Sequence, residues 1–521
     1  MKYQINNFKI QPTEEHALEK IIKARLKLDD FTYKIIHKSI DARMKDKINL
    51  IYKLMIETDM ELKGKDIEFY KEVSYKLNYP KWNDKRPVVV GFGPAGMFAA
   101  LYLARCGAKP IIVERGGRIE DRKRDVEEFL NNKVLNPNSN VQFGEGGAGA
   151  FSDGKLTTNV KNPLTGFILY ELHKHGALEN IMYEAKPHIG TDYLEIVVKN
   201  IREEIESLGG TFYFYHRFIN AKRDGHTLKC YIEGENNLAI DTNHILLGLG
   251  HSAKDTIRTL YNEMNLDMEQ KAFSMGVRIE HPQELINEAQ YGKFAEVLPP
   301  AYYNLAVHMP NGRGVYTFCM CPGGYVLASQ SEEGTIVVNG MSNNKRDNIN
   351  SNSAILVDVK PSDYDKGNVL DGLDYQEKYE RLAYNISGDY KAPANLCKEF
   401  LHNRVAKKER SVKTSYPHGL FMTDLSKCLP DFVVDGIKWG INGFNNRLRN
   451  FRYDDAILIG IESRSSSPVR ILRDKESYMS TSFEGIYPIG EGAGYAGGIT
   501  SAALDGLKCA IEIAGGNKYG K

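Results

Sequence analysis

The chain has little of what marks several protein classes. Its 521 residues include only seven cysteines and two tryptophans. An odd number of thinly scattered cysteines excludes the dense disulfide framework of a small secreted domain. Basic and acidic residues nearly balance, 68 against 67, for a net charge of +1, so no global field favours nucleic acid or an anionic membrane. The apolar runs fall far short of a membrane span, and Met1-Lys2-Tyr3-Gln4 begins no signal-peptide core. The expected location is the cytoplasm. No second Cys or His pair has metal-ligand spacing, so no metal is expected. With an ordinary apolar fraction of 42%, the length allows two or three domains with sizeable cores.

What is present is one strongly ordered stretch. Val88-Val89-Val90 leads into Gly91-Phe92-Gly93-Pro94-Ala95-Gly96, a small-residue helical pattern runs to Cys106, and a second apolar run, Pro110 to Val113, ends in Glu114-Arg115. Strand, glycine turn, helix, strand and acid in that order predict a dinucleotide-binding unit. Gly91 permits the tight turn, Gly93 leaves room for a pyrophosphate, and Gly96 lets the helix approach the sheet. Pro94 and Ala95 open the helix, whose N-terminus offers unpaired N–H groups to phosphate. Glu114 follows at about 20 residues, where a carboxylate can accept ribose hydroxyls. Arg115 and Arg122 join the candidate contacts. The turn alone leaves NAD and FAD open.

Further glycine-rich segments narrow the choice. Val141 to Lys155 is too rich in glycine for a regular strand or helix interior. Phe143 and Phe151 near its ends predict a loop pinned against a flat ring, with Gly146, Gly147 and Ala148 presenting backbone to it. Strand-like runs at Thr211 to Tyr215, Phe218 to Lys222, Leu228 to Ile232 and Leu238 to Ile240 precede a second strand-to-glycine turn at Gly248-Leu249-Gly250. Phe218 and Gly250 are candidate cofactor contacts. Near the end, Ile489-Gly490-Glu491 delivers an acid into a glycine turn, and Gly497-Gly498-Ile499 opens the helix Thr500 to Ala514.

The expected fold class is α/β, and three units are expected. Residues 1–80 read as a small α+β module, with strands at Tyr3 to Ile10, Lys34 to Ala42 and Ile48 to Glu57 and a helix from Glu14 to Leu28. Residues 84–270 and 480–516 form a discontinuous Rossmann-like FAD-binding domain. Residues 271–479 form an inserted α+β substrate or capping domain, in which polar Asn339 to Asn352 is expected to be a mobile loop.

The early glycine turn, the mid-chain strand end and the late Gly-acid turn resemble the glutathione-reductase-type FAD fold. Ser139 to Gly149, Pro187 to Asp192, Phe318 to Gly324, Glu462 to Arg470 and Gly490 to Ile499 together resemble a bacterial family of uncharacterised FAD-dependent dehydrogenases. The resemblance covers residues from about 85 to 515, and it extends to the N-terminal module. It implies tightly bound FAD and redox chemistry, with Glu491 standing where most FAD enzymes carry the aspartate that binds ribityl hydroxyls. The chain has no second complete strand–glycine turn–helix unit, so NAD(P)H, where used, would dock transiently as an electron donor.

The expected activity is hydride transfer between flavin N5 and a small organic substrate. Lys155 is a candidate to offset charge on the ring, and His188 to move a proton; a structural histidine is an equal reading for the latter. Arg464 and Arg470 could grip an anionic substrate group or form an internal hydrogen-bonded strap. Cys319 and Cys321 are read as structural thiols, with a thiol–disulfide oxidoreductase as the alternative. A further alternative is an RNA-modifying or RNA-binding flavoprotein with residues 1–80 as docking arm; nucleic acid is disfavoured because the module lacks interleaved basic and aromatic residues. The oligomeric state is not readable.

Overall fold

The computed structural model describes residues 1–516. One part of it is a five-stranded parallel sheet in the order Ile486–Pro488, Ile245–Leu247, Val88–Val90, Ile111–Val113, Thr211–Tyr213. The strands are apolar throughout because both faces are covered, as parallel sheets require. Val89, Ile112 and Leu246 face one way, into a core with helices Pro94–Arg105, Thr191–Ser207 and Ile499–Ile513. Val88, Val90, Ile111, Val113, Ile245 and Leu247 face the other way, onto a three-stranded meander from Arg217 to Thr242. The period of two is that of a pleated strand.

Two close approaches fix how the helices lie. A Cβ on Gly96 would stand 1.9 Å from the Gly91 carbonyl oxygen, and one on Gly506 would stand 2.0 Å from that of Ala95. Glycine at these points lets the first helix sit on its own turn and the last helix sit on the first.

Residues 1–69 carry a four-stranded antiparallel sheet ordered Thr32–Asp41, Asn49–Glu57, Lys2–Ile10, Ile67–Phe69, with the helix Leu18–Leu26. The fourth strand is an addition to the sequence reading. The module's apolar interior is continuous with that of the large sheet. It also bonds through backbone to the body, from Lys38 N to Tyr183 O and from Ala185 N to Lys38 O.

The inserted region holds a seven-stranded mixed sheet whose centre is Asn350–Val359, Phe273–Pro282 and Ile457–Glu462. The segment expected to be mobile, 339–352, is instead built in. Part of it lies in the strands Val338–Met341 and Asn350–Val359, and Ser342, Asn350, Ser351 and Asn352 are buried. Its polar groups are held by the interior: Arg346 pairs with Asp153, and Asn350 Nδ2 donates to Glu280 and to the Lys413 carbonyl. Polarity at Arg346 and Asn350 reflects internal hydrogen bonding rather than solvation, whereas Asn343, Lys345 and Asp347 of the same segment are exposed.

Candidate functional site

The glycine turn forms as expected, with Gly91 at φ +87°, in the left-handed region that glycine enters without penalty. The helix begins at Pro94, whose missing N–H costs nothing at the first helical position. Beside this turn lies the loop of residues 144–150. Gly146 N donates to Phe92 O at 2.9 Å, and a Cβ on Gly93 would meet only Gly147 Cα, at 3.6 Å. A Cβ on Gly149 would lie 3.2 Å from Ile499 Cγ1 and 3.7 Å from Pro94 Cγ. Two helix N-termini therefore converge on one backbone-lined cradle, with Ala148 in the same turn. Gly250, Gly497 and Gly498 border open space, with nothing within 4 Å of an added Cβ. Unpaired N–H groups, positive helix ends and bare glycine backbone suit a dinucleotide's pyrophosphate.

The side chains expected to face the cofactor divide into two groups. Glu114 is buried, and its carboxylate takes three backbone N–H groups: Oε2 from Phe92 at 2.8 Å, and Oε1 from Gly116 at 3.0 Å and Gly144 at 2.9 Å. It ties the turn to the loop and keeps one lone pair, on Oε2, for a hydroxyl. Arg115 stacks over Phe143 at 4.3 Å and pairs with Asp255 at 2.9 Å. Glu491 lies on the late turn, 3.1 Å from His251 Nδ1, and a Cβ on the neighbouring Gly492 would stand 2.2 Å from Gly250 O. The mid-chain and late glycine turns thus abut. Gly490 N donates to Asp505, itself paired with Arg473.

Four expected contacts, Arg122, Phe151, Phe218 and Arg464, are interior instead; Phe151 packs with Ile119, Val126, Val141 and Leu327. Arg122 is 0% exposed and spends its guanidinium on carbonyls of Asn140, Val141, Gly144, Glu145 and Gly147 at 2.7–3.3 Å. It sits 4.8 Å from the Phe151 ring centre and shapes the loop from behind. Burial lowers its pKa to about 10, against the pull of Glu114 and Glu145. Phe218 packs in the meander core. Arg464 forms a strap, with Nε and Nη2 on the two oxygens of Glu380 at 3.0 and 2.8 Å and Nη1 on Ser331 Oγ at 2.7 Å. Glu380 also binds Lys254 at 2.8 Å, so Arg464 is not offered to a substrate. Arg470 pairs with Glu269.

At the far end of the glycine loop lies a second cluster. Lys155 and His188 face each other across an isolated antiparallel bridge. Lys155 Nζ pairs with Asp153 Oδ2 at 3.0 Å and donates to Met320 O. Asp153 also receives Arg346 at 2.6 and 2.9 Å and the Ser342 hydroxyl. Burial opposes the charge on Lys155, but the Asp153 carboxylate, together with the Cys321 and Cys319 sulfurs, outweighs it and raises the pKa. Burial, then Arg346, lowers that of His188. Its Nε2 lies 3.0 Å from the Asn344 carbonyl, which can only accept. The neutral ring therefore carries its proton on Nε2 and leaves Nδ1 as acceptor. Asp153 lay within the motif read from sequence; Arg346 and Asn344 were missed because their segment read as a mobile loop. No group of three His, Cys, Asp or Glu fit for a metal occurs among the described residues.

Comparison with known proteins completes the assignment. The chain is 46% identical over 530 residues to an uncharacterized protein of Clostridium beijerinckii, covering 98% of each. Residues 272–465 match the family described as FAD-dependent protein, C-terminal domain-like. The chain belongs to this FAD-dependent family. Among solved structures, this family member is similar to the glycerol-3-phosphate dehydrogenase from Bacillus halodurans complexed with FAD, at 11% identity and a TM-score of 0.38 over 84% of this chain and 66% of that one. It is also similar to the flavin-dependent brominase Bmp2, at 10% identity and a TM-score of 0.38 over 84% and 81%. FAD is its cofactor, and the cradle fits that cofactor's pyrophosphate. No helix among the described residues is long and apolar enough to cross a membrane.

Proposed function

We propose that the protein is an FAD-dependent oxidoreductase that moves a hydride between the flavin and a small organic substrate. The observation that carries this reading is the cradle at Gly93, Gly147 and Gly149, where two helix N-termini meet. From it the loop leads to the cluster of Lys155, Asp153, Arg346 and His188. When bound, FAD supplies the two-electron chemistry at its ring. The chain's residues would do the rest. The glycine turns would hold the ADP half, and Glu114 would offer its remaining acceptor site to ribose. Glu491 would meet the sugar alcohol chain. Lys155, Arg346 and Asp153 leave one net positive charge at the ring end, which favours a substrate or ring carrying negative charge. His188 Nδ1 is placed to accept a proton, since its neutral form dominates at neutral pH.

The glutathione-reductase type of the FAD domain belongs to this proposal, as do the division at residues 84–270 and 480–516 and the capping role of 271–479. Purified protein should carry yellow flavin absorbance, and anaerobic mixing with NADH, NADPH and a metabolite panel should bleach it with at least one compound. Protein that stays colourless after incubation with FAD overturns the reading. Lys155→Met should lower the rate of bleaching by about 10- to 1,000-fold with flavin retained, the scale of removing one charge stabiliser.

A further inference from the structure

Five of the seven cysteines, Cys106, Cys230, Cys397, Cys428 and Cys509, are buried and spread through separate elements; Cys319 alone is exposed, and Cys321 two residues on is buried. The backbone that carries this pair is irregular. In the strand Gly314–Cys321, Phe318 pairs with Ala354 and Cys321 with Asn352, so Cys319 and Met320 together stand opposite Ser353 alone. That is a β-bulge, a feature common beside active sites. Cys319 takes φ +41°, a left-handed conformation that a residue with a Cβ rarely holds without support from its surroundings.

The support is visible. Arg278, fully buried, donates from Nη2 to the Cys319 carbonyl at 2.9 Å and reaches the Phe318 carbonyl at 3.5 Å. Lys155 donates to the Met320 carbonyl. Arg278 is in turn fixed by Glu462 and Asn352, at 2.9 and 2.8 Å. Two cations thus clamp three successive carbonyls. Within this clamp Cys321 Sγ packs against Cys319's own carbonyl oxygen at 3.2 Å. The bulge folds the second sulfur back onto the first cysteine's backbone, and the first cysteine stays exposed, one residue before the carbonyl that Lys155 holds.

We propose that Cys319 and Cys321 form a dithiol–disulfide couple that exchanges an electron pair with the FAD. In the oxidising direction the two S–H bonds break, one S–S bond forms, and two electrons and two protons leave the sulfurs; the flavin is the two-electron acceptor that is reduced. Burial raises the Cys321 thiol above its usual value, so the inner sulfur rests as a thiol. This pair rests on the FAD reading above but adds a second redox centre to it.

The test is an anaerobic reductive titration of the full-length FAD-loaded protein after air oxidation, counting electrons per flavin. The expected uptake is about four, two for each two-electron centre, falling to about two in Cys319→Ser. Peptide mass measured without reductant should show the segment carrying both cysteines lighter by two hydrogens, and full-length mass should recover them on reduction. The titration of wild-type protein needs no variant, so misfolding of Cys319→Ser cannot obscure the result. Wild-type uptake of about two electrons, with flavin bleached and both thiols free, overturns the couple and leaves the FAD assignment standing. Protein that binds no flavin overturns the assignment itself.

Discussion

A glycine can be required by the chain or by what the chain binds, and two neighbours in the same turn separate the cases. At Gly96 an added Cβ would sit 1.9 Å from the Gly91 carbonyl. Gly96→Ala should therefore destabilise the protein itself, by about 1–3 kcal/mol or more. At Gly93 the added Cβ meets only Gly147 Cα at 3.6 Å, an ordinary contact, and φ is −77°. Gly93→Ala should leave the melting temperature of flavin-free protein within about a degree or two, yet weaken FAD binding at least about 10-fold, a loss of ~1.4 kcal/mol. Flavin fluorescence titration checks the second and scanning calorimetry the first; equal FAD affinity in Gly93→Ala would remove the pyrophosphate from this turn. Glu462 gives a pH test. Burial raises it to about 7, against the pull of Arg278. The native protein then binds more protons than the unfolded chain between about 4.5 and 7. That contribution is full below the lower value and lost as pH rises through the upper one. Stability should fall across this window by a few kcal/mol at most, and Glu462→Gln should flatten the slope in denaturant unfolding. Parallel curves for the two proteins would refute it.

The loop 140–150 shows what an element needs when it is neither helix nor strand. Its carbonyls turn inward onto Arg122, its Glu145 is buried on Arg202 at 2.7 Å and on Ile119 N, and Glu114 receives Gly144 N. Arg122→Leu removes the donor for five carbonyls, so the expected loss is about 2–5 kcal/mol, with flavin affinity falling alongside. Arg122→Lys should rescue little, because an ammonium cannot span those directions. Circular dichroism melting and retained flavin report the two effects; a fully flavinated, equally stable Arg122→Leu would show that the loop holds itself. Much of this element was legible in sequence. Glycine excess, flanking phenylalanines and the strand–turn–helix order carry local information, and so do the strands around Val88 and Leu246. Less legible were the destinations of polar side chains. Arg122, Arg464 and the polar run 339–352 have the composition of binding groups or solvated loops. Their partners lie 18 to 193 residues away, and no local pattern encodes such pairings. Phe218 failed for a related reason, since alternation says that a residue is buried but not whether against cofactor or core.

At the scale of the molecule, the parts are joined by buried charge as well as by apolar contact. Lys254 opens the helix that follows the mid-chain glycine turn. Glu380 lies on the helix Asp371–Ser387 of the inserted region, and Arg464 follows the strand Ile457–Glu462 of the large sheet. All three side chains are at most 3% exposed where they meet, and Ser463 adds a hydrogen bond to Glu380 at 2.6 Å. The cations hold the Glu380 carboxyl well below the usual carboxylate range despite its burial. One carboxylate therefore ties the nucleotide-binding sheet to the large sheet, near the glycine turns that would grip FAD. The N-terminal module is fastened differently, by a shared apolar interior and the Lys38 backbone bonds. Removing residues 1–80 would strip that interior, so an RNA-docking role is better tested with exposed lysines such as Lys20 and Lys23 replaced. The carboxylate joint yields the sharper expectation. Lys254→Met leaves Glu380 buried with one cation fewer and Glu332 without its ion pair at 3.6 Å, at a cost of about 3–5 kcal/mol. Because the break lies between the two sheets, flavin release should separate from loss of secondary structure. In denaturant the wild type should lose both together, whereas Lys254→Met should lose flavin at a lower concentration. Coincident transitions in the variant would mean that apolar packing, and not this joint, couples the two parts.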